Sequence, residues 1–355
     1  MNFSVSLRDH RTSIILVGLG LSLLVTVLFS LTTGAVSVPV QDVAIIILQK
    51  FGILKNIEVD SMHEIVLSSI RIPRVFMTIL IGASLGISGA ALQGLFRNPL
   101  VEPSLIGVSG GSAAAVVMLI VFGAPLAAIL HTWIYTSLLP LVAFAGGLLA
   151  TFMVLRLSSQ VGRTNISVLV LIGVAVNALA GALIGLAIFY ADENQLRTFT
   201  FWTLGDLGGA SWDKLAIASP LLLLSCIGLL FFSKTLNALA LGEAEAYHIG
   251  VNVEKTKRIV ILLAALGVGV SVSLAGMIGF VGLVIPHVIR VSFFPDNKLV
   301  LPASIIGGAW LLVFSDIIAR VVVSPSELPI GVVTALIGAP FFIGLLMNAK
   351  RKNEL

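Results

Sequence analysis

The side chains able to do chemistry in this sequence are few and far apart. Its five histidines, His10, His63, His131, His248 and His287, stand singly, with none of the paired spacings that bind a metal. The lone Cys226 lies inside an apolar run, so no intrachain disulfide can form. No G-x-x-x-x-G-K-S/T stretch occurs, nor any Gly-Lys pair, so a standard phosphate loop is absent and any ATP must be hydrolysed by another chain. No constellation of His, Cys, Asp or Glu offers nucleophile, base and stabiliser together. The expectation is a chain that is not an enzyme, with no catalytic residue, no metal and no cofactor of its own.

Charge is concentrated instead in one stretch, LNALALGEAEAYHIGVNVEKTKR, Leu236 to Arg258. Its Glu243, Glu245, Glu254, Lys255, Lys257 and Arg258 cannot sit in hydrocarbon and need water or protein around them. Set between apolar runs, this helix-forming insert reads as the handle by which something outside a membrane grips the part inside it.

The elements that position such a handle are membrane helices. Of 355 residues, 58% are hydrophobic and 11% charged, and the mean hydropathy is +1.10, a balance that a soluble domain with a half-polar surface does not show. The formal net charge of +4 is small and spread between apolar runs, which argues against nucleic acid as a partner. A spanning helix needs about 20 mainly apolar residues. Uncharged windows of that kind cover residues 12–41, 75–96, 103–155, 164–191, 215–233, 259–289, 299–315 (extended past Asp316) and 328–349.

The third window has room for two helices, split near Gly123, Pro125 and His131. The sixth holds one full helix and one short one, divided around Gly276, Gly279, Gly282 and Pro286. The total is about ten spans in one all-α transmembrane domain over residues 1–355. The first run is too long for a typical signal peptide and is expected to be a retained helix. Lys and Arg in the short loops place both termini and the polar insert on the cytoplasmic side.

Four further patterns have both a packing and a functional meaning. Small residues recur at helical spacing at Gly82, Gly86, Gly89 and Ala90 and again at Gly267, Gly269, Ser271, Ser273 and Gly276, which suits close helix approach or a pathway wall. Gly82, Ser84, Gly89 and Pro99 also recur at one constant offset as Gly269, Ser271, Gly276 and Pro286, the mark of an inverted repeat or of chance among small residues. Phe96 to Val116 holds Pro99, Pro103 and a turn at Ser109, Gly110 and Gly111, so a loop and then a helix start are expected, with Ser109 or Ser112 as cap. Arg71, Arg74 and Arg320 fall at the outer ends of spans, Arg320 one turn after Asp316. An i,i+4 ion pair and an outward ring of cations for an acidic partner are both open.

LGEAEAYHIGV (Leu241 to Val251) followed by GVSVSLAGMIGFVGLVIPHVIR (Gly269 to Arg290) resembles the iron-chelate and cobalamin permeases of bacterial ABC importers. RIPRVFMTILIGASLGISGAALQGLFRNPLVEPSLIGVSGG (Arg71 to Gly111) and SELPIGVVTALIGAPFFIGLL (Ser326 to Leu346) are similar to the same family, in the same order along the chain.

The resemblance implies a type II ABC importer permease fold in the bacterial inner membrane, multi-pass and homodimeric, with the path at the dimer axis. It implies two cytoplasmic ATPase subunits, which carry ATP and Mg, gripping a coupling segment at about 236–258 through Leu241, Gly242, Glu243, Glu245, Ala246 and Gly250. It implies a periplasmic or lipid-anchored binding protein docked on Arg71, Arg74 and Arg320, and a cytoplasmic gate at Ile166 and Ser167. Relatives often carry small hydroxyl residues at that gate, and Ile166 departs from this.

The run QLRTFTFWTLGDLGGASW, with Phe199, Phe201, Trp202 and Trp212, is similar to the haem-uptake branch, except that Asp206 replaces a small residue. Haem is the expected substrate, with ferric siderophore or cobalamin as alternatives. Read from the residues alone, an aromatic belt at the membrane interface explains the same run. The rival of another class is a secondary transporter driven by an ion gradient, for which Asp316 is the candidate acid near a span.

Overall fold

The computed structural model describes residues 2–50, 52–53, 57–123, 125, 132–160 and 163–351. In chain order the helices are α1 (Asn2–Thr32), α2 (Val40–Lys50), α3 (Ser61–Phe96), α4 (Val108–Phe122), α5 (Thr132–Ser158), α6 (Ile166–Tyr190), α7 (Glu193–Leu204) and α8 (Trp212–Leu230). They continue with α9 (Ser233–Leu241), α10 (Glu243–His248), α11 (Val253–Ala275), α12 (Val281–Ser292), α13 (Asn297–Val321) and α14 (Ile330–Arg351). A short hairpin, β1 (Ser159–Gln160) with β2 (Arg163–Thr164), pairs antiparallel between α5 and α6.

Seven of these helices are long and apolar enough to cross a membrane, and α4, α12 and the Ile330–Gly344 part of α14 are shorter apolar helices, which agrees with about ten spans. The polytopic all-α fold expected from the hydropathy windows is therefore present. His131, one marker of the split in the third window, lies outside the described residues; α4 ends at Gly123, another of those markers.

The core is built on α3. Its most apolar window is 83% buried, against 11% for that of α1, which lies at the periphery. α3 packs against α13, α11, α8 and α12. Small residues make that possible, because without a hydrophobic drive between helices in lipid, association depends on close van der Waals contact. A Cβ added at Gly82 would lie 2.4 Å from the Gly308 carbonyl oxygen, at Gly86 2.2 Å from that of Ser304, and at Gly89 1.8 Å from that of Gly282. On α11, Gly267 meets the Ser84 and Ser225 hydroxyls in the same way. These faces are packed seams.

Helix starts follow side-chain capping. Asn165 accepts from the amides of Ser167 and Val168, Asn252 from Lys255, and Asp296 from Lys298, while Asp192 and Gln195 form a reciprocal capping box on α7.

Two local expectations are corrected. Gly107, at φ 83°, stands at the N-cap of α4, so Ser109 and Ser112 lie inside the helix and do not cap it. Gly110 and Gly111 are helical as well, and Gly111 is small because the Gly146 carbonyl of α5 lies 2.5 Å from where its Cβ would be. The sixth window breaks at Gly276, whose φ of 71° ends α11, whereas Gly282 and Pro286 fall inside α12. The corresponding Gly89 is mid-helix, so the two copies of the apparent repeat differ locally.

Candidate functional site

The polar insert folds as two short helices and the first turn of a long one. Gly242 separates α9 from α10 at φ 137°, with Glu245 folded back against it where a Cβ would be. α10 ends in a Schellman turn: the Val251 amide donates to the Ala246 carbonyl at 3.0 Å and the Gly250 amide to that of Tyr247 at 3.0 Å. Gly250 sits at φ 88° with open space around it, so the backbone conformation alone calls for glycine. Ala246 is fully buried, whereas Leu241, Tyr247 and Ile249 are 72%, 71% and 66% exposed. A short polar helix thus presents apolar side chains outward, the arrangement of a surface made to be covered.

Beneath it lies a buried lysine. Lys257 is 2% exposed, and its ammonium donates to the Thr164 carbonyl at 2.8 Å, to Glu243 Oε2 at 2.7 Å and to Glu254 Oε1 at 3.2 Å. The other oxygen of Glu254 accepts from the Thr164 amide at 2.8 Å. The sequence counted Lys257 among the charges needing water or protein; the protein itself supplies its partners. The i,i+3 spacing of Glu254 and Lys257 was the visible signal, and the contacts to Thr164 and Glu243 were not visible.

Thr164 ends β2, Asn165 caps α6, and α6 opens with Ile166, half-buried, and Ser167, exposed. Phe96, Arg97, Ile166, Ser167, Glu243 and Lys257 are among the residues around one cavity of about 550 Å³. The structure therefore brings the residues assigned to the gate together with Glu243 of the coupling set.

The arginines assigned to docking sit elsewhere, and they do not form an outward ring. Arg71, Arg74 and Arg320 are each 5–6% exposed. Arg71 donates to the Leu31 carbonyl at 2.7 Å and to that of Val36. Arg74 grips Asp316 at 2.8 Å and Glu327 at 2.8 Å. Arg320 forms the i,i+4 pair with Asp316 at 3.0 Å and donates to the Ser30 hydroxyl at 2.6 Å and the Thr33 carbonyl at 2.8 Å. The reason is geometric: the end of α1 and the loop before α14 fold over them, and carbonyls and carboxylates replace the water that a surface cation would hold.

Of the two acids, Asp316 is 1% exposed and the Glu327 side chain 41%, so only Glu327 can exchange partners with a visitor. Asp316, the candidate ion-coupling acid, is already held between two guanidinium groups.

Sequence reasoning also passed over Glu102. Its Oε1 accepts from the Phe280 amide at 3.2 Å, tying the loop after α3 to the start of α12, where Phe280 itself has φ 67°. On α7, Phe199 stacks on Trp202 with centroids 6.5 Å apart, and Arg197 lies 5.7 Å from the centre of the half-exposed Phe201 ring. Trp212 donates from its indole to the Ser68 carbonyl at 2.9 Å. Among the described residues no group of three or more His, Cys, Asp or Glu side chains is placed to hold a metal.

Comparison with known proteins agrees with this architecture. The profile of the FecCD transport family matches residues 22–348. The hemin transport system permease protein HmuU of Yersinia pestis is 41% identical over 295 residues, which is 83% of this chain and 86% of that protein. The vitamin B12 import system permease protein BtuC of Klebsiella pneumoniae is 37% identical over 344 residues, 97% of this chain and 96% of that one. A solved structure described as an inward-facing conformation of a metal-chelate type ABC transporter superposes with a TM-score of 0.81 at 33% identity, over 95% of this chain and 99% of that one.

Proposed function

Since the chain belongs to the FecCD transport family and is a membrane-spanning permease of an ABC importer, we propose that its substrate is haem and that it moves haem to the cytoplasm by alternating access. Importers of this kind work with ATPase and binding-protein partners. The assembly proposed here is a homodimer in the bacterial inner membrane, with both termini cytoplasmic. Two ATPase subunits sit on Leu241, Gly242, Glu243, Glu245, Ala246 and Gly250, and a periplasmic or lipid-anchored binding protein sits outside. ATP and Mg belong to the ATPase, and this chain performs no hydrolysis and binds no cofactor of its own.

The observation that carries the mechanism is the shared cavity in which Glu243 of the coupling segment meets Ile166 and Ser167. A conformational change needs a contact that differs between states, and here the coupling helix is wired to the start of the gate helix. Haem is supported by the aromatic run on α7 and by the likeness to a hemin permease over 83% of the chain. Docking through the buried arginines requires a partner carboxylate to take the place of Glu327 on Arg74, or to approach Arg71, which has only neutral carbonyls as acceptors among its hydrogen bonds described above.

A cobalamin or ferric-chelate importer is the second reading, favoured by the B12 permease that matches 97% of the chain. Uptake of haem, cobalamin and a ferric siderophore into ATP-loaded proteoliposomes holding the complete importer separates them. Accumulation of haem alone is expected, and accumulation of either other substrate without haem removes the assignment.

A further inference from the structure

We propose that Lys257 is the positioning residue that carries movement of the coupling helix to the cytoplasmic gate. Three segments meet at its ammonium: Glu243 opening α10, Glu254 in the first turn of α11, and the Thr164 carbonyl at the end of β2. An ammonium has three donors, and all are used. Both polar groups of the Thr164 backbone are held, the carbonyl by Lys257 and the amide by Glu254. Only Asn165 separates Thr164 from Ile166, and Asn165 is itself fixed as the cap of α6. Two residues of extended chain span at most about 7 Å, so a shift at Lys257 reaches the gate with little slack.

The three links differ in strength. Glu254 and Thr164 form a closed double clamp on a side chain that is 2% exposed. The Glu243 side chain is 41% exposed and reaches the lysine from the surface helix, so its pair with Lys257 is the separable one. An ATPase that moves α10 therefore makes or breaks the Glu243–Lys257 pair, while the clamp keeps Lys257 attached to Thr164 at the end of β2. A differential contact of this kind is what lets one site bias another.

Lys257's role rests on the assignment of Ile166 and Ser167 to the gate, so the test reads the gate separately. In the complete reconstituted importer on a Cys226→Ser background, Ser167→Cys reports gate exposure through its rate of thiol labelling with and without ATP. Lys257→Met is expected to keep ATPase co-purification while substrate uptake per ATP falls by about tenfold, within the range of typical coupling, and the ATP-dependent change in labelling disappears. Lys257→Arg should restore both, because it replaces the cation and its donors. Glu243→Gln, which leaves the clamp whole, should lower uptake per ATP by less than Lys257→Met does.

Normal uptake per ATP in Lys257→Met, or ATP-dependent labelling that survives in it, overturns the role of Lys257 alone. Loss of ATPase co-purification in Lys257→Met overturns it too, since the lysine then only supports the docking surface. Wild-type labelling that ignores ATP removes the gate assignment and the proposal together. If Lys257→Met fails to insert, Glu243→Gln decides: unchanged uptake per ATP refutes transmission through this pair.

Discussion

Replacing Asp316 with Asn tests the buried charge cluster and separates two classes of transporter. Asp316 is 1% exposed; its carboxylate accepts a hydrogen bond from Arg74 at 3.0 Å and forms ion pairs with Arg74 at 2.8 Å and Arg320 at 3.0 Å. Removing one partner of a buried ion pair costs about 3–5 kcal/mol, because the other charge stays buried without compensation. Here Arg74 keeps Glu327, and Arg320 keeps Ser30 and Thr33, which places the loss at the lower end, about 3 kcal/mol. For a chain of 355 residues that corresponds to a fall in apparent Tm of about 4 °C.

The assay is thermal unfolding of the purified chain in detergent, followed by uptake on the material that remains folded. The expected result is a large loss of stability with ATP-driven uptake retained in folded protein. A fall of under about 2 °C, the size of a surface change, would refute the structural role. Normal stability with abolished uptake would place Asp316 in an ion-coupling site and favour a gradient-driven carrier.

Three other tests follow from the same geometry. Gly89→Ala puts a Cβ against the Gly282 carbonyl at 1.8 Å and should reduce folded yield sharply, whereas Gly20→Ala on α1 meets nothing within 4 Å and should leave it unchanged; size-exclusion profiles compare the two. Glu243→Arg with Glu245→Arg should leave the protein inserted yet abolish ATPase association, and normal co-purification would refute the coupling assignment. Gly250→Ala forces a side chain to φ 88°, costing about 1–2 kcal/mol at the end of α10, and should weaken ATPase co-purification while leaving the folded yield of the membrane domain near wild type.

The fold was legible where a property is local. Hydropathy windows located the spans because partition into lipid depends on composition over about 20 residues. The break at Gly276 and the i,i+4 pair of Asp316 with Arg320 were visible because each is set within one turn of chain. The destinations of polar side chains were not. Arg74 finds Asp316 across 242 residues and Lys257 finds Thr164 across 93, and no periodicity reports such distances. For Arg71, Arg74 and Arg320 the outward ring that the sequence left open gives way to burial, and Lys257, which needed either water or protein, is a buried crossing point held by protein. Ser109 lost the cap of α4 to Gly107 because the 3-10 turn at Pro103–Ile106 delivers the chain into the helix through a left-handed residue.

The most direct measurement is substrate uptake by proteoliposomes containing this chain with its ATPase and binding protein, with haem outside and either ATP inside or an imposed proton or sodium gradient. Accumulation of haem with ATP, lost when the ATPase is omitted and indifferent to the gradients, is the predicted result. Accumulation driven by a gradient without ATP would contradict it.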